Sequence, residues 1–515
     1  MSVTRTVAKN TFFNFVTTAC DVLINLAIGI LLARSLGADQ YGTYSFLMWF
    51  ITLGALVANL GLGEMAKRFV AEAQGHQDVN GPRNLVRMTL VLRGLAALAV
   101  ALVIMAFAAF WSKEFNQQGN QLYFILVGAS LLPNVLNNVL MSIFAGFQKY
   151  EYGAYMLLGS NPIRAVLIVV FIAMGFGVRE VLIVNIAAWA LGTFIGVFLL
   201  HRLVPLKHLL ASSTMEPVAR RAALKYALTL AVIFILSYIV WDQAETLLVG
   251  HYCSADQVGF YRLGSNMPYM LMQLIPAVLG AVLLPAVSEQ FGRGDMEKIR
   301  MIFTTSSRYL MMISLPLAVG GIVLARPFII ALYGAQYEPA VVIMQIIFIP
   351  YMAMGVANAA TSVIYGINEP SFILKVYLMT ACLSIGLNLW LIPKYGIVGA
   401  AIGSSGPRFL SALLYIHFAS RKIAAPWPLS STAKIALASL VMGLPLLLLQ
   451  YHLGTVASLV LSLPLGVMLY LAAILVLREV HKLDLEAFKK IQDYLPVLLR
   501  GKYAALLNVA GRLLE

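Results

Sequence analysis

Long apolar stretches separated by short polar connections fill almost the whole sequence. A helix needs about 20 apolar residues to cross a bilayer, and fourteen stretches come close to that length. They lie near residues 11–34, 41–67, 85–110, 121–147, 153–176, 180–201, 225–250, 260–286, 300–325, 340–366, 371–393, 396–419, 434–451 and 455–477. The pattern predicts an all-α polytopic membrane protein with about 14 transmembrane helices. Because the apolar residues form runs and do not alternate with polar ones, an outer-membrane barrel is excluded.

The composition is also that of a membrane protein. Of the 515 residues, 61% are hydrophobic and 11% are charged, and the mean hydropathy is +0.85, whereas soluble domains carry about 25% charged residues. The formal charge of +14 is explained by basic residues in cytoplasmic loops, so no nucleic acid is expected as a partner. The three cysteines, Cys20, Cys253 and Cys382, have no spacing typical of a metal site or a disulfide framework.

The basic residues predict the orientation of the chain. With both termini cytoplasmic, 28 of the 36 lysines and arginines fall in cytoplasmic segments and six in outer segments. The remaining two, Arg164 and Arg408, lie within predicted spans. By the positive-inside rule, we expect a multi-pass protein of the cell (inner, cytoplasmic) membrane with both termini in the cytoplasm. The first apolar run is too long for a cleaved signal peptide and is interpreted as an uncleaved span.

The chain contains an internal duplication. The segment Ala-Asp-Gln-Tyr-Gly-Thr-Tyr at 38–44 is echoed 217 residues later by Ala-Asp-Gln-Val-Gly-Phe-Tyr at 255–261. A Glu, a Gly and an Asp that follow the second span recur at the same offset after the eighth span. Two lobes of six spans each have the same orientation, which makes them pseudo-symmetric parallel repeats about an axis along the membrane normal.

The duplication predicts the organisation of the chain. We expect an N-lobe at 1–201, a basic cytoplasmic linker at 202–224, a C-lobe at 225–420 and two extra C-terminal helices at 421–477. The tail at 478–515 has the apolar and charged spacing of an amphipathic helix. Such a helix is expected to lie along the cytoplasmic membrane surface.

Carboxylates interrupt the apolar pattern. Asp242 and Glu245 lie in or beside the run at 226–249, three residues apart, so a continuous helix would place both on one face. A charge at the bilayer centre costs about 2.5–3.5 kcal/mol on insertion scales, and such residues usually face a bundle interior or a wet cavity. Asp21, on a polar face of the first span, is a third candidate for ion coupling. Two close carboxylates repel, which favours exchange of a proton or a cation; a static salt bridge is the alternative.

Arginines and amides also lie within the spans. Arg164 comes shortly after Pro162 and Arg408 directly after Pro407, and each proline can kink its helix towards a cavity. The planar guanidinium binds phosphate or carboxylate bidentately, so both arginines are candidate ligands of an acidic head group. A structural pair with a neighbouring carboxylate is the alternative. The candidate amides of the same cavity are Asn134, Asn137 and Asn266. Interhelical hydrogen bonding is the common role of a single amide.

Short motifs occur along the whole chain. They are Leu-Leu-Ala-Arg-Ser-Leu-Gly at 31–37 with Tyr-Gly-Thr-Tyr at 41–44, Asn-Leu-Gly-Leu-Gly at 59–63, Glu245 with Gly250, Tyr-Gly-Ala-Gln-Tyr at 333–337, and Ile-Pro-Lys-Tyr-Gly-Ile-Val-Gly-Ala-Ala at 392–401. In this order and spacing they resemble the Wzx-type polysaccharide (lipid-linked oligosaccharide) flippases, in the polysaccharide transporter branch of the MOP exporter superfamily.

The resemblance implies a fold and a function. Members of the superfamily have two six-helix bundles around a V-shaped central cavity, often with two added helices. The flippases move polyprenyl-pyrophosphate-linked oligosaccharide from the cytoplasmic to the outer leaflet by alternating access. The resemblance implies no cofactor, H⁺ or Na⁺ as the coupling ion, and membrane lipids and polysaccharide polymerase or chain-length machinery as partners. Asp242 has no counterpart in the family pattern, and Arg164 and Arg408 are candidates from their chemistry alone.

The leading hypothesis is a flippase for undecaprenyl-pyrophosphate-linked repeat units of a surface polysaccharide such as O-antigen, capsule or exopolysaccharide. The alternatives are a MATE-like drug or cation antiporter, a peptidoglycan lipid II flippase, and a membrane polysaccharide polymerase or ligase. Organic cations prefer carboxylates and aromatic cages to arginines, which disfavours the antiporter. The sequence has no nucleophile elbow, HExxH motif or phosphate-binding glycine loop, and its longest outer loop, near 111–120, is short. An enzyme is therefore not expected.

Overall fold

The computed structural model describes the main chain of residues 3–75, 81–115, 120–204, 217–241, 244–425 and 429–479. Regular structure in these ranges is helical, without β-strands. The chain divides into two compact units, Met1–Arg262 and Leu263–Glu515. The predicted all-α fold class is confirmed.

The first unit consists of helices joined mostly by short connections. They are α1 (Val3–Asn59), α2 (Leu62–Gly75), α3 (Gly81–Ala106), α4 (Ala108–Glu114), α5 (Gln121–Gly146), α6 (Tyr150–Ala173), α7 (Val178–Leu203), α8 (Pro217–Trp241) and α9 (Thr246–Tyr252). The next helix, α10 (Ala255–Gly292), begins in this unit and continues into the second. Helices α1, α2, α3, α6 and α7 all pack on α5, so α5 forms the centre of this bundle.

The second unit continues with α11 (Met296–Val323), α12 (Ala325–Tyr333), a 3₁₀ turn (Ala335–Tyr337), α13 (Ala340–Gly366), α14 (Pro370–Lys422), α15 (Leu429–His452) and α16 (Thr455–Val476). Helix α13 packs on α11 and α14, and α15 packs on α11 and α16. Tyr470 Oη donates a hydrogen bond to Met312 O at 2.8 Å, and Gln450 Nε2 donates to Val323 O at 2.9 Å. These bonds attach the last two helices to α11.

A charged cluster lies where α16 ends. Arg308 Nη1 of α11 donates to the main-chain oxygen of Glu479 at 3.0 Å, and Lys434 Nζ of α15 lies 3.7 Å from the buried Glu479 carboxylate. Hydrogen bonds to charged groups are among the stronger ones in proteins. The cluster therefore connects three helices of the second unit.

Eleven helices in the described part of the chain are long and apolar enough to cross a membrane. Two of them, α1 and α14, contain a kink at a glycine in the left-handed region, with φ of 79° at Gly37 and 56° at Gly396. Each kink separates two predicted spans, 11–34 from 41–67 and 371–393 from 396–419. The protein is thus a multi-pass membrane protein, and the number of fourteen crossings stays a prediction.

Two predicted spans are interrupted. The second span breaks between α1 and α2, where Leu60 and Gly61 have φ of 48° and 69°. The seventh span, predicted as one helix, breaks between α8 and α9. Neither proline nor glycine marks this second break, so the hydropathy pattern makes the segment look continuous.

The predicted domain boundaries stay predictions. The proposed linker at 202–224 is described only at 202–204 and 217–224, and the latter residues already belong to α8. The predicted amphipathic helix of the tail falls almost wholly on 480–515, outside the described residues.

Candidate functional site

Two hydrogen bonds join α1 and α6 within the first unit. Asn161 Nδ2 donates to Asp21 Oδ1 at 2.8 Å, and Arg164 Nη2 donates to Asn25 Oδ1 at 2.6 Å. Asp21 and Asn25 are one turn apart on α1, and Asn161 and Arg164 are three residues apart on α6. Each pair therefore lies on one face of its helix, and the two faces can bond to each other. Two predicted site residues, Asp21 and Arg164, therefore lie in one polar cluster.

Arg164 has a hydrogen-bond donor, Nε, without a partner among the described residues. The residue is 7% exposed. A guanidinium has five N–H donors in a planar fork, and Asn25 accepts one of them through an uncharged amide oxygen. The planar guanidinium has the geometry and charge that suit a phosphate or carboxylate.

Two residues that the sequence analysis did not select extend this cluster. Asn185 Nδ2 of α7 donates to Val181 O at 2.9 Å and lies 3.5 Å from Tyr44 Oη of α1. Tyr44 also lies in the neighbourhood of Arg164. The polar interior of the first unit thus extends from α6 across α1 to α7.

The candidate amides of α5 have different surroundings. Asn137 is buried, and a Cβ built on Gly192 of α7 would lie 3.6 Å from its Cγ and 3.3 Å from Ser160 Oγ of α6. Asn134 is half-buried and accepts a hydrogen bond from the exposed Asn138 at 3.2 Å. Asn137 therefore packs between three helices, whereas Asn134 and Asn138 belong to a more open face of α5.

Glu245 is buried against the start of α10. It is 3% exposed, and Tyr261 Oη donates a hydrogen bond to its Oε1. Arg262 interacts electrostatically with the same carboxylate. Glu245 lies in a turn directly before α9, so the helix predicted over 225–250 is interrupted at this residue. Asp242 itself lies outside the described residues.

The two copies of the repeated motif contact each other through equivalent glycines, Gly42 of α1 and Gly259 of α10. A Cβ built on Gly42 would lie 2.6 Å from the carbonyl carbon of Ala255 and closer still to its oxygen. One built on Gly259 would lie 3.0 Å from both Ala38 O and Gly42 Cα. A side chain on Gly42 would collide with the backbone of α10, and one on Gly259 would be tight against α1, so the contact favours glycine at both positions. In the predicted topology this contact lies near the outer face of the membrane.

Cys253 lies beside this glycine contact, in the connection between α9 and α10. It is 5% exposed and lines a narrow space together with Gly42, Phe46 and Gly250. Burial raises the pKa of its thiol to about 11. The contact and the neighbouring aromatic ring therefore keep this thiol away from solvent.

The second unit contains the other two predicted residues. Arg408 is buried in α14, where Ser411 Oγ donates to its main-chain oxygen at 2.7 Å. In the preceding half of the same helix, the buried Asn388 donates to Ser384 Oγ at 3.2 Å. Asn266 is half-buried on α10. Both halves of α14 thus carry buried polar groups among apolar neighbours.

A further buried arginine was missed by the sequence analysis. Arg93 is 5% exposed in the middle of α3, but its position near the start of an apolar run assigns it to the cytoplasmic segments. A local minimum of hydropathy inside a predicted span is the signal that could have identified it. The described residues contain no group of three or more His, Cys, Asp or Glu that could hold a metal ion.

Comparison with protein families gives a match over more than half of the chain. The family model described as "Polysaccharide biosynthesis protein" matches residues 31–342.

Curated relatives are similar over most of their length. A probable low-salt glycan biosynthesis flippase, Agl15, of Haloferax volcanii is 21% identical over 80% of this chain and 83% of its own. A probable flippase of the same organism, AglR, is 20% identical over 82% of this chain and 86% of its own. An uncharacterised membrane protein of Methanocaldococcus jannaschii is 18% identical over 76% of this chain and 80% of its own.

Solved structures with a similar fold include transporters of two kinds. The lipid II flippase MurJ in an inward closed conformation has a TM-score of 0.70 and 16% identity, covering 90% of this chain and 98% of its own. A multidrug resistance MATE family transporter of the MOP superfamily, in an inward-facing conformation, has a TM-score of 0.63 and 17% identity. The match covers 78% of this chain and 94% of the transporter. At this identity the likeness concerns the fold.

Proposed function

The chain belongs to the polysaccharide biosynthesis protein family, and on that premise we propose that it is a flippase for a lipid-linked oligosaccharide. The proposed substrate is an undecaprenyl-pyrophosphate-linked repeat unit of O-antigen, capsule or exopolysaccharide. The protein moves it from the inner to the outer leaflet of the cytoplasmic membrane and is not an enzyme. Both termini are cytoplasmic, and polymerase or chain-length machinery acts next to it. The flippase names of the two Haloferax relatives support this proposal.

The observation that carries the proposal is the Arg164 cluster. A guanidinium inside an apolar bundle is costly unless its donors are used. Here one donor is bound to an amide oxygen, and Nε has no partner among the described residues. An acidic head group such as a pyrophosphate supplies an acceptor for the Nε donor and a negative charge beside the guanidinium.

Other predicted residues have supporting roles in this proposal. Arg408 is a second ligand of the acidic head group, and Asn134 and Asn266 contact the sugars. Asn137, which packs between helices, contributes by positioning α5. Their burial or half-burial in apolar helices supports these roles.

Alternating access requires a closure that can open, and the contact between Gly42 and Gly259 has the properties of one. It joins two helices whose backbones lie in direct contact, without side chains between them at the two glycines. Close packing contributes to the stability of such a surface. We propose that it closes the outer side of the transport path in this conformation.

Carboxylates of the first unit are proposed to couple transport to a proton or sodium gradient. Asp21 is held by Asn161, and Glu245 is held by Tyr261. A change in protonation or ion binding at either carboxylate alters these hydrogen bonds and favours one conformation over the other. Asp242 is included in this proposal from its sequence position alone.

Transport by purified, full-length protein in lipid vesicles tests the proposed function. Vesicles carry an undecaprenyl-pyrophosphate oligosaccharide with a fluorophore that an impermeant reductant quenches from outside. We expect protein-dependent flipping, and a reduction of about tenfold or more in Arg164→Ala, because a charge-assisted contact is worth roughly 1.5–3 kcal/mol. Arg326→Ala is the matched control, since Arg326 is exposed and forms an ion pair with Glu338 at 2.9 Å.

Parallel samples distinguish the alternatives. Flipping of lipid II in preference to the oligosaccharide lipid would assign the protein to peptidoglycan synthesis, an alternative that the MurJ-like fold favours. Gradient-driven export of an organic cation, with no flipping of either lipid, would assign it to drug transport, as for the MATE transporter. Elongated glycan products would identify a polymerase or ligase.

A further inference from the structure

The segment Asn-Leu-Gly-Leu-Gly at 59–63 contains a helix break inside the second predicted span. Leu60 and Gly61 both have positive φ, and Met65 N–H donates to Gly61 O at 3.2 Å as the first bond of α2. The N–H groups of the first turn of α2 therefore have no partner within the helix. They also carry the positive end of the helix dipole, which favours a negative charge.

Three polar side chains from three helices meet at this break. A Cβ built on Gly63, in the first turn of α2, would lie 3.0 Å from Arg93 Nη1, 3.1 Å from Ser142 Oγ and 3.5 Å from Asn59 Oδ1. Arg93 belongs to α3, Ser142 to α5, and Asn59 is the last residue of α1. Because residue 63 has no side chain, these groups can approach the start of α2 closely.

Arg93 has no charged partner among the residues that the structure describes. Only 5% of its surface is exposed. Neither Arg93 Nε nor Asn59 Oδ1 has a hydrogen-bond partner among the described residues. The acidic residue next to the break, Glu64, is exposed and lies 3.6 Å from Lys67 Nζ. A buried guanidinium without a counter-charge is unfavourable, so the site favours an anion.

A polar path leads to the site along α5. Ser142 Oγ donates to Asn138 O at 3.1 Å, and Asn138 is exposed and bonded to Asn134. These residues are spaced by four and lie on one face of the helix. An anion can thus approach Arg93 along a hydrogen-bonding surface within an otherwise apolar bundle.

We propose that Arg93, Ser142 and the first turn of α2 bind a phosphate-type oxyanion. The guanidinium supplies charge and a bidentate fork, and the helix N-terminus supplies N–H donors aligned with its dipole. The Asn59 amide can turn its NH₂ group towards the anion. This site uses helices α2, α3 and α5 and does not include the pair formed by Arg164 and Asn25. Identification of the anion as the pyrophosphate of a lipid-linked substrate rests on the proposed function; the site itself does not.

Calorimetric titration of the purified full-length protein with inorganic pyrophosphate tests the site. We expect salt-sensitive binding that weakens at least tenfold in Arg93→Gln, which keeps the length of the side chain but removes its charge. Arg83→Gln, on the same helix, is the control and should bind like the wild type. Equal affinity of Arg93→Gln and wild type, or no binding by folded wild-type protein at low salt, would overturn the proposal.

A second variant covers the case in which Arg93→Gln does not fold. Gly63→Ala keeps every charge and places a methyl group 3.0 Å from Arg93 Nη1, where the anion is proposed to bind. Weaker pyrophosphate binding by folded Gly63→Ala supports the site, and unchanged binding contradicts it.

The vesicle assay separates the sources of the anion. Loss of both pyrophosphate binding and oligosaccharide-lipid flipping in Arg93→Gln assigns the substrate's pyrophosphate to the site. If Arg93→Gln loses pyrophosphate binding but flips normally, the site stands and its identification with the substrate's pyrophosphate is overturned. Titration with vesicles that contain anionic phospholipid then tests whether the site binds a lipid head group. If wild-type protein binds pyrophosphate through Arg93 but flips no lipid-linked oligosaccharide, the proposed function fails and the site stands.

Discussion

The glycine contact between the two repeated motifs makes a sharp prediction about conformational change. In Gly42→Ala, the new Cβ would lie 2.6 Å from the carbonyl carbon of Ala255, whereas non-bonded carbon atoms prefer about 3.5–4.0 Å. Both partners are backbone atoms that cannot rotate away. Helices α1 and α10 must therefore separate locally by about 1 Å or more, and the closed arrangement becomes less favourable.

The size of the effect follows from the cost of overpacking. Forcing an extra methyl group into a close-packed contact typically costs about 1–3 kcal/mol. Applied to the closed state alone, this cost changes the ratio of closed to open protein by about 5- to 150-fold. Gly29→Ala is the matched control on the same helix, since nothing lies within 4 Å of a Cβ built on Gly29.

Cys253 provides a native reporter for this equilibrium. With Cys20 and Cys382 replaced by alanine, a membrane-impermeant maleimide added from the outer side reports only on Cys253. Because burial raises the pKa of this thiol to about 11, far less of it is the reactive thiolate at pH 7 than for a solvated thiol. We therefore expect slow labelling that increases with pH while the contact is closed.

We expect the maleimide to label Cys253 about 5- to 150-fold faster in Gly42→Ala than in the reference protein. In Gly29→Ala, Cys253 should be labelled at the reference rate. Size-exclusion chromatography and thermal unfolding confirm that each variant is folded. If folded Gly42→Ala labels no faster than the Gly29→Ala control, the glycine contact does not control access from the outer side.

Further predictions concern the polar residues and the topology. Arg164→Lys should recover only part of the flipping lost in Arg164→Ala, because the planar fork is absent; full recovery in the vesicle assay would exclude bidentate binding. Asp21→Asn should leave folded protein whose flipping no longer responds to an imposed pH or sodium gradient, and a wild-type response would remove Asp21 from the coupling proposal. The double variant Asp242→Asn with Glu245→Gln should behave in the same way, and gradient-stimulated flipping at the wild-type rate would rule out a coupling role for the pair. A cysteine at Ser213 should resist an impermeant thiol reagent added outside intact cells, since the positive-inside rule places it in the cytoplasm; reaction there would reverse the predicted topology.

The helical architecture and part of the polar cluster could be predicted from the sequence because both depend on local patterns. Apolar runs of bilayer length identify helices, and residues spaced by four share a helix face. Asp21 and Asn25 are four residues apart and therefore share one face of α1, and both bond to residues of α6. The partners on α6 could not be paired with them in advance, because interhelical register depends on packing that no single span encodes.

The break before α9 and the burial of Arg93 escaped prediction for different reasons. The described turn at residues 244 and 245 contains no proline or glycine that would mark it in the sequence, and its Glu245 accepts a hydrogen bond from Tyr261, a long-range contact that local pattern does not reveal. Arg93 lies about eight residues into its predicted span, where a long side chain commonly extends to the membrane surface. Packing of α2 and α5 around it determines its burial instead.

The repeated motif connects the glycine contact to the polar interior in both of its copies. Gly42 and Tyr44 are two residues apart on α1, and Gly259 and Tyr261 are equally spaced on α10, so within each pair the side-chain directions differ by about 200°. Tyr44 lies near Asn185 and Arg164, while Tyr261 donates to Glu245. Any rotation or separation of α1 and α10 that opens the glycine contact must therefore move a tyrosine that is bonded to, or lies beside, a buried polar group. Conversely, binding of a proton, an ion or an acidic head group to those polar groups changes the interactions of the tyrosine. Because the tyrosine and the glycine belong to the same rigid helical turn, this change also affects the glycine contact.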